Sequence, residues 1–223
     1  MSAYCTVNGK AAIRGTVTRP RVGAWHADLV VDSADASLFS GAVEIAIGDS
    51  LRLQGTSFRS GVHHETVFLR AIAGAGGLGT VLPPKSYQGV PARIPITDAL
   101  QGAGEALSLT ADSGLLGRLL RQWARVQQPA GFAFTSLLRA ISAPGWRILD
   151  DGSIWIGSES WADATPAQFD EIEVEPHTGV TMIGTDTPAM YPGSSFNGKR
   201  VSTVEHRISA GEVRHLLWFE ASA

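Results

Sequence analysis

His206 and His215 could ligate zinc across a hairpin, because imidazole is a common zinc ligand. If Ser209 to Glu212 form a hairpin loop, Ile208 pairs with Val213 and the two histidines stand directly opposite each other. Zinc needs a third ligand, however, and only the distant His177 or Glu175 offer one. Histidines on a strand face shared with Val204, Leu217 and Phe219 read as core or interface residues instead. His63-His64-Glu65 fails as a ligand set because neighbouring strand residues point to opposite faces, and it reads as a turn-to-strand junction.

Gly74-Ala75-Gly76-Gly77-Leu78-Gly79 fits the G-x-G-x-x-G pattern of dinucleotide-binding loops. Such a loop needs a helix opening at the glycines, and here Pro83-Pro84 follow with nothing helical before Pro95, so the run reads as a surface loop. Asp150, Asp151 and Glu159 could supply the two carboxylates of a glycosidase, but Asp151 is already explained by the Asp151-Gly152 turn. Gly157-Ser158-Glu159-Ser160-Trp161 lacks the second glycine of a nucleophile elbow. No catalytic, cofactor-binding or metal residue is assigned.

The elements around these residues are mostly strands. Trp25, Ala27, Leu29 and Val31 alternate with polar neighbours; Val43, Ile45 and Ile47 do the same, as do Leu51 and Leu53, with Gly48-Asp49 as a hairpin turn between the two runs. A third run, His64 to Ala73, follows Ser60-Gly61. Between Pro95 and Pro144 the period changes. Leu116, Leu119, Leu120 and Trp123 recur at helical spacing with Arg118, Arg121 and Arg125 opposite, which predicts an amphipathic helix capped by Ser113 or Asp112 and ended by Pro129 to Gly131. Thr135 opens a second helix through Leu137, Leu138 and Ile141, and a helical turn at Asp98 to Gln101 precedes both. After Gly145 strands resume, first as the Trp146 to Gly157 hairpin. Ala162 to Pro176 is acidic, with Asp163, Asp170, Glu171, Glu173 and Glu175 and no Lys or Arg. The expected fold is mainly β with a helical insertion (α+β): two small antiparallel β-barrel-like regions, residues 1–94 and 145–223, linked by short helices over 95–144.

Composition agrees. The 223 residues suffice to bury roughly 70% of the unfolded chain's surface, and 44% apolar against 17% charged residues excludes disorder. Eighteen Lys and Arg against 21 Asp and Glu give a net charge of -3, without the basic excess of a phosphate-tracking protein. One cysteine, Cys5, excludes an intrachain disulfide and multi-cysteine metal sites, and the start MSAYCTVNGK has no signal-peptide pattern, so synthesis and folding in a reducing cytosol are expected. No apolar run approaches the about 18 residues a membrane helix needs.

The order of these segments resembles the baseplate or tail-tip hub proteins of tailed bacteriophages. The residues that carry the resemblance are Ala42-Val-Glu-Ile-Ala-Ile-Gly-Asp-Ser-Leu-Arg-Leu-Gln-Gly-Thr, the loop at Ala73, Lys85-Ser-Tyr-Gln-Gly, and Ala103-Gly-Glu-Ala-Leu-Ser. Trp146-Arg-Ile-Leu-Asp-Asp-Gly-Ser-Ile-Trp-Ile-Gly-Ser-Glu-Ser-Trp and the Tyr191-Pro-Gly turn leading to Glu205-His206 complete it. The resemblance, which extends to the hub part of VgrG-like spikes, implies a non-enzymatic virion component: a homotrimeric ring adapting a sixfold tail tube to a threefold spike. Its implied partners are tail tube or distal tail proteins, a separate spike or tip protein and the tape measure protein. DNA would pass through the lumen without specific binding, and no cofactor or membrane is involved. Assembly in the host cytoplasm and residence in the virion tail baseplate follow. Independently, Gly48-Asp-Ser-Leu and Gly193-Ser-Ser-Phe open strand pairs that end in apolar strands, at Val67-Phe-Leu-Arg and Leu216-Leu-Trp-Phe, as two related barrels would. The alternative readings are a tail-associated glycan hydrolase using Asp150 and Glu159, or a carbohydrate-binding tail module with Trp155 or Trp161 as a stacking platform.

Overall fold

Alternating burial organises the first third of the chain. The computed structural model describes residues 4–158, 164, 170–175, 180–184, 190–209 and 211–220. Strands β1 (Cys5–Val7), β2 (Lys10–Pro20), β3 (His26–Val31), β4 (Ala42–Ile47), β5 (Leu51–His63) and β6 (Thr66–Ala73) pair in the order β1-β4-β5-β6-β3-β2. A further antiparallel pairing of β1 with β2 closes them into a six-stranded barrel. Closure removes the free edges that would otherwise template aggregation. The expected inward residues Ala27, Leu29, Val31, Val43, Ile45, Ile47, Leu51 and Leu53 are all buried, each larger one contributing about 1.5–3 kcal/mol against exposure. Gly48 turns β4 into β5 with φ 56°, as its place in the sequence requires.

β5 runs past Ser60-Gly61, where the pattern suggested a break, and reverses at His64, which takes φ 54°. A bulge between Ser57 and Arg59 absorbs the irregularity within the strand. Gly55 makes room for the buried Trp25 ring, since a Cβ there would lie 2.5 Å from it.

Contacts divide the chain into Met1–Ala73 with Ser160–Ala223, and Gly74–Glu159. The middle unit is wider than the 95–144 helical segment because strands pack with its helices. It contains β7 (Val81–Leu82), β8 (Lys85–Pro91), α1 (Arg93–Ala103), α2 (Ser113–Gly117), β9 (Leu119–Arg125), β10 (Gln128–Pro129), α3 (Ala130–Ala140), β11 (Trp146–Ile148) and β12 (Ile154–Ile156). β8 pairs with β9, β7 with β10 and β11 with β12, all antiparallel. Ile96 and Leu100 of α1 and Phe134 and Leu137 of α3 are buried in its core, and Phe134 meets Trp146 edge to face at 5.1 Å.

The amphipathic helix expected through Arg125 is corrected here. Asp112 does cap a helix, accepting from the Gly114 and Leu115 amides, but α2 stops at Gly117 and residues 119–125 form strand β9. Their helical spacing has a local cause. Leu120 and Trp123 are both buried because the pairing with β8 is disturbed at Gly89, whose φ is 62°, between the Gln88–Gln122 and Val90–Leu120 pairs. α3 starts at Ala130 behind Pro129 rather than at Thr135, whose hydroxyl donates to the Gly131 carbonyl within the helix. α1 extends the expected turn at Asp98 to eleven residues. The Trp146 to Gly157 hairpin forms, with Ile148 opposite Ile154 and Gly152 at φ 81°. Its loop has three residues, Asp150 to Gly152, rather than two.

The C-terminal strands are β13 (Asp170–Glu175), β14 (Val180–Gly184), β15 (Ser195–Phe196), β16 (Lys199–Ser209) and β17 (Glu212–Phe219). β16 pairs with β2 of the barrel and with β17, so the sheet continues as β2-β16-β17-β14-β13. Met190, Phe196, Val201, Val204 and Leu217 form a small core on this extension. The chain is thus mainly β, with one closed six-stranded barrel and few helices.

Candidate functional site

The hairpin of β16 and β17 places His206 opposite His215, with Ile208 opposite Val213, as the turn spacing predicts. Both rings are buried, and their Nδ1 atoms lie 2.7 Å apart, so one imidazole donates and the other accepts. Nε2 of His206 has no hydrogen-bond partner among the described residues. Burial first, then the neighbouring His215 and the buried Arg19, hold the His206 imidazole well below the ordinary histidine range. Among the described residues no three His, Cys, Asp or Glu side chains gather as a metal site. The two rings thus form a buried hydrogen bond within the sheet. Its sign of pH dependence is fixed: the unfolded chain takes up a proton near the ordinary value of about 6.5, and the folded chain resists it. Stability is full above that pH and falls as the pH drops toward the lower folded value. Urea midpoints should decline from pH 6.5 toward 5, and a His206→Leu, His215→Leu double variant should flatten that decline; an equal decline in the variant contradicts the assignment.

The glycine run meets an internal anion. Gly74 and Gly76 adopt φ 69° and 78°, and the loop amides of Ala75 and Gly77 donate to the Glu105 carboxylate at 3.0 and 2.8 Å. Glu105 is itself 7% exposed. The amides that would cradle a phosphate in a dinucleotide site are thus satisfied by a side chain. Gly77 also lies against the end of α1, where a Cβ would come within 1.6 Å of the Ala103 carbonyl oxygen.

The arginines expected along one helix face separate. The Arg118 guanidinium donates to the Ile141 carbonyl, Arg121 is exposed, and Arg125 is buried on β9. Arg125 donates to the Pro83 carbonyl at 2.8 Å and pairs with Asp98 of α1 at 2.8 Å. Lys85 and Tyr87 of β8 donate to the same carboxylate. Burial alone would raise the Asp98 pKa, but these hydrogen bonds and the Arg125 charge outweigh it and hold the carboxyl below its ordinary value. The cluster ties α1 to the β8–β9 strand pair.

Of the carbohydrate-processing candidates, Asp151 accepts from the Ser153 amide and hydroxyl, and Asp150 sits beside it in the hairpin loop. Glu159, Trp161, His177 and the side chain of Glu175 lie outside the described residues. Trp155 is half-buried under the Arg147 guanidinium at 4.8 Å, and its indole donates to the Thr110 carbonyl, so its face is already stacked.

A surface the sequence reading passed over lies outside the barrel, on β2, β3, β5 and β6. An open groove of about 740 Å³ runs there, bounded by Phe58, Val62, Phe68, Arg14, Arg59 and Arg70. Phe58, Val62 and Phe68 are 68%, 51% and 46% exposed, unusual for large apolar side chains grouped on one face. Arg70 forks onto Asp28 of β3 with contacts of 2.7 and 2.9 Å, while Arg14 and Arg59 form no ion pair among the described residues. The signal was present: Phe68 falls between the inward Val67 and Leu69, so alternation alone sends it outward.

No protein-family model matches this chain, and no curated protein sequence matches it. Solved structures do. A 43 kDa tail protein of prophage MuSo2 from Shewanella oneidensis superposes with TM-score 0.66 at 7% identity, covering 97% of this chain and 96% of that one. A tail protein from Neisseria meningitidis gives TM-score 0.64 at 12% identity, with 97% and 96% covered. The E. coli c3393 protein, a type VI secretion component described as structurally similar to the T4 phage tail proteins gp27 and gp5, gives 0.57 at 9% identity, covering 98% of this chain and 77% of its own. The chain shares the fold of these tail proteins, as the segment order implied.

Proposed function

We propose that this protein is a structural hub of a phage tail baseplate or tail tip, with no catalytic centre of its own. The observation that carries the reading is the match to two tail proteins along nearly the whole of all three chains. Three copies close a ring, each contributing the barrel and the C-terminal strand region as two similar lobes, so that a sixfold tube meets a threefold spike. The sheet that joins the two regions through β2 and β16 supports this, because it fixes them as one body per chain. The two β regions then act as two barrel-like lobes, and the acidic 163–175 segment lies nearer the lumen or a ring contact than Arg118 to Arg125. The ring's partners are tail tube or distal tail proteins, a separate spike or tip protein and the tape measure protein, and DNA passes through without specific binding. Assembly takes place in the host cytoplasm and the product is a virion component. Immunogold labelling of purified particles should mark the tail end distal to the capsid; label along the tube or on the capsid contradicts the reading.

A further inference from the structure

We infer that the groove outside the barrel docks an extended segment of another protein, one that sets an apolar residue between two carboxylates four residues apart. The register of the sheet defines the surface. Directly opposed residues of an antiparallel pair share a face, so Gly61 of β5, Phe68 of β6, Val30 of β3 and Arg14 of β2 form one outward row. Arg59, Arg70 and Asp28 form the next. The middle of the first row is apolar: Phe68 is 46% exposed, Val30 is half-buried, and Gly61 offers no side chain opposite the Phe68 ring. His63 meets that ring edge to face at 5.9 Å. Charge sits at both ends. Asp28 takes the Arg70 guanidinium in a two-point contact, and Arg14 and Arg59 are left without an ion pair among the described residues. Arg59 also stands directly opposite Arg70, a like-charge pair that a carboxylate from outside relieves.

Spacing identifies the occupant. The unpaired guanidiniums stand on β5 and β2, which are three strand spacings apart across β6 and β3, about 14 Å. In an extended chain, residues i, i+2 and i+4 point to one side, and i and i+4 are likewise about 14 Å apart. Carboxylates at i and i+4 thus meet Arg59 and Arg14, while an apolar residue at i+2 rests on Phe68 and Val30. β6 and β3 are each paired on both sides, so side chains hold the segment here and no strand is added. A nucleic acid carries a phosphate at every nucleotide, which would set charge over the apolar middle and beside Asp28. A lipid headgroup gathers its charge at one point and matches only one end of the groove.

NMR titration of the full chain with synthetic peptides tests this. The probe is a seven-residue peptide with glutamate at its second and sixth positions, phenylalanine midway between them and serine elsewhere; its isomer has the same composition with the glutamates adjacent. At low salt and up to millimolar peptide, the probe should shift the amides of Arg14, Arg59 and Phe68 and bind several-fold more tightly than the isomer. Binding should weaken several-fold in high salt, because attraction between exposed charges is screened. It should weaken to a similar extent with Arg14→Glu or Arg59→Glu, both side chains being exposed. Arg14→Gln and Arg59→Gln, which remove charge without adding any, repeat the test should either reversal disturb the sheet. No shift at these amides, equal binding of the isomer, or indifference to the arginine variants overturns the inference. So does tighter binding at these residues by phosphatidylglycerol vesicles or by an oligothymidylate. Tail-end labelling is independent of this titration, so a failed titration with correct labelling removes the docking site and leaves the hub reading in place.

Discussion

Asp98→Ala is expected to lower the stability of the Gly74–Glu159 unit by about 3 kcal/mol, the low end of what breaking a buried ion pair costs. Arg125 is the reason. Its side chain is 4% exposed, so removal of the carboxylate 2.8 Å away leaves a guanidinium that water cannot solvate and the Pro83 carbonyl alone cannot satisfy. Tyr87 loses its acceptor at the same time. Adding Arg125→Met should restore much of the loss, because an apolar side chain of similar length fills the space without a charge. Urea unfolding followed by tryptophan fluorescence reads both variants, Trp123 being packed against Tyr87 at 5.7 Å. A loss under about 0.5 kcal/mol for Asp98→Ala, the range of ordinary surface substitutions, would show that the cluster does not hold α1 to the β8–β9 strand pair. The pH dependence has a definite sign too. The Asp98 carboxyl is held below its ordinary value, so its contribution is full above that value and is lost as pH falls through the lower folded one. This acid loss lies below the one set by His206.

Gly77→Ala should be at least as damaging, although it adds a single methyl group. The new Cβ would fall 1.6 Å from the Ala103 carbonyl oxygen and 2.7 Å from its carbon, and backbone offers no rotamer by which to move aside. The loop would have to leave the end of α1, taking the Gly77 amide away from Glu105 and exposing a buried carboxylate to partial loss of partners. Overpacking of this kind costs about 1–3 kcal/mol before the lost hydrogen bond is added. Gly79→Ala is the control, because a Cβ there meets nothing within 4 Å and the residue belongs to the same short helical turn. Near-neutral behaviour at position 79 with loss of several degrees in Tm at position 77 is the expected pattern. Equal effects would mean that the glycine run serves chain flexibility and not close packing.

These two sites show where the sequence was informative. The barrel was legible because its strands bury one face, and a period of two with Gly turns leaves few alternative registers. The His206–His215 pairing followed from the same logic, being fixed by a short turn. β9 was not legible, because its partner β8 lies 28 residues or more away in the chain and the Gly89 irregularity gave Leu120 and Trp123 helical spacing. The Glu105 contact was hidden for a related reason: a carboxylate that satisfies loop amides 28 and 30 residues upstream leaves no local pattern. The glycine run was read as a surface loop, and the Glu105 carboxylate that its amides meet could come only from the fold. Phe58 and Phe68 were readable as outward residues, yet alternation does not say which outward residues matter.

The central claim is that this chain is a ring-forming hub between tube and spike, and a reconstruction of the purified particle tests it most directly. The account predicts three copies of this chain in one layer at the tail end, each giving its barrel and its C-terminal strand region to a six-lobed annulus, with the tube above and a spike below. Six copies in that layer, or a position outside the tail tip, would contradict it.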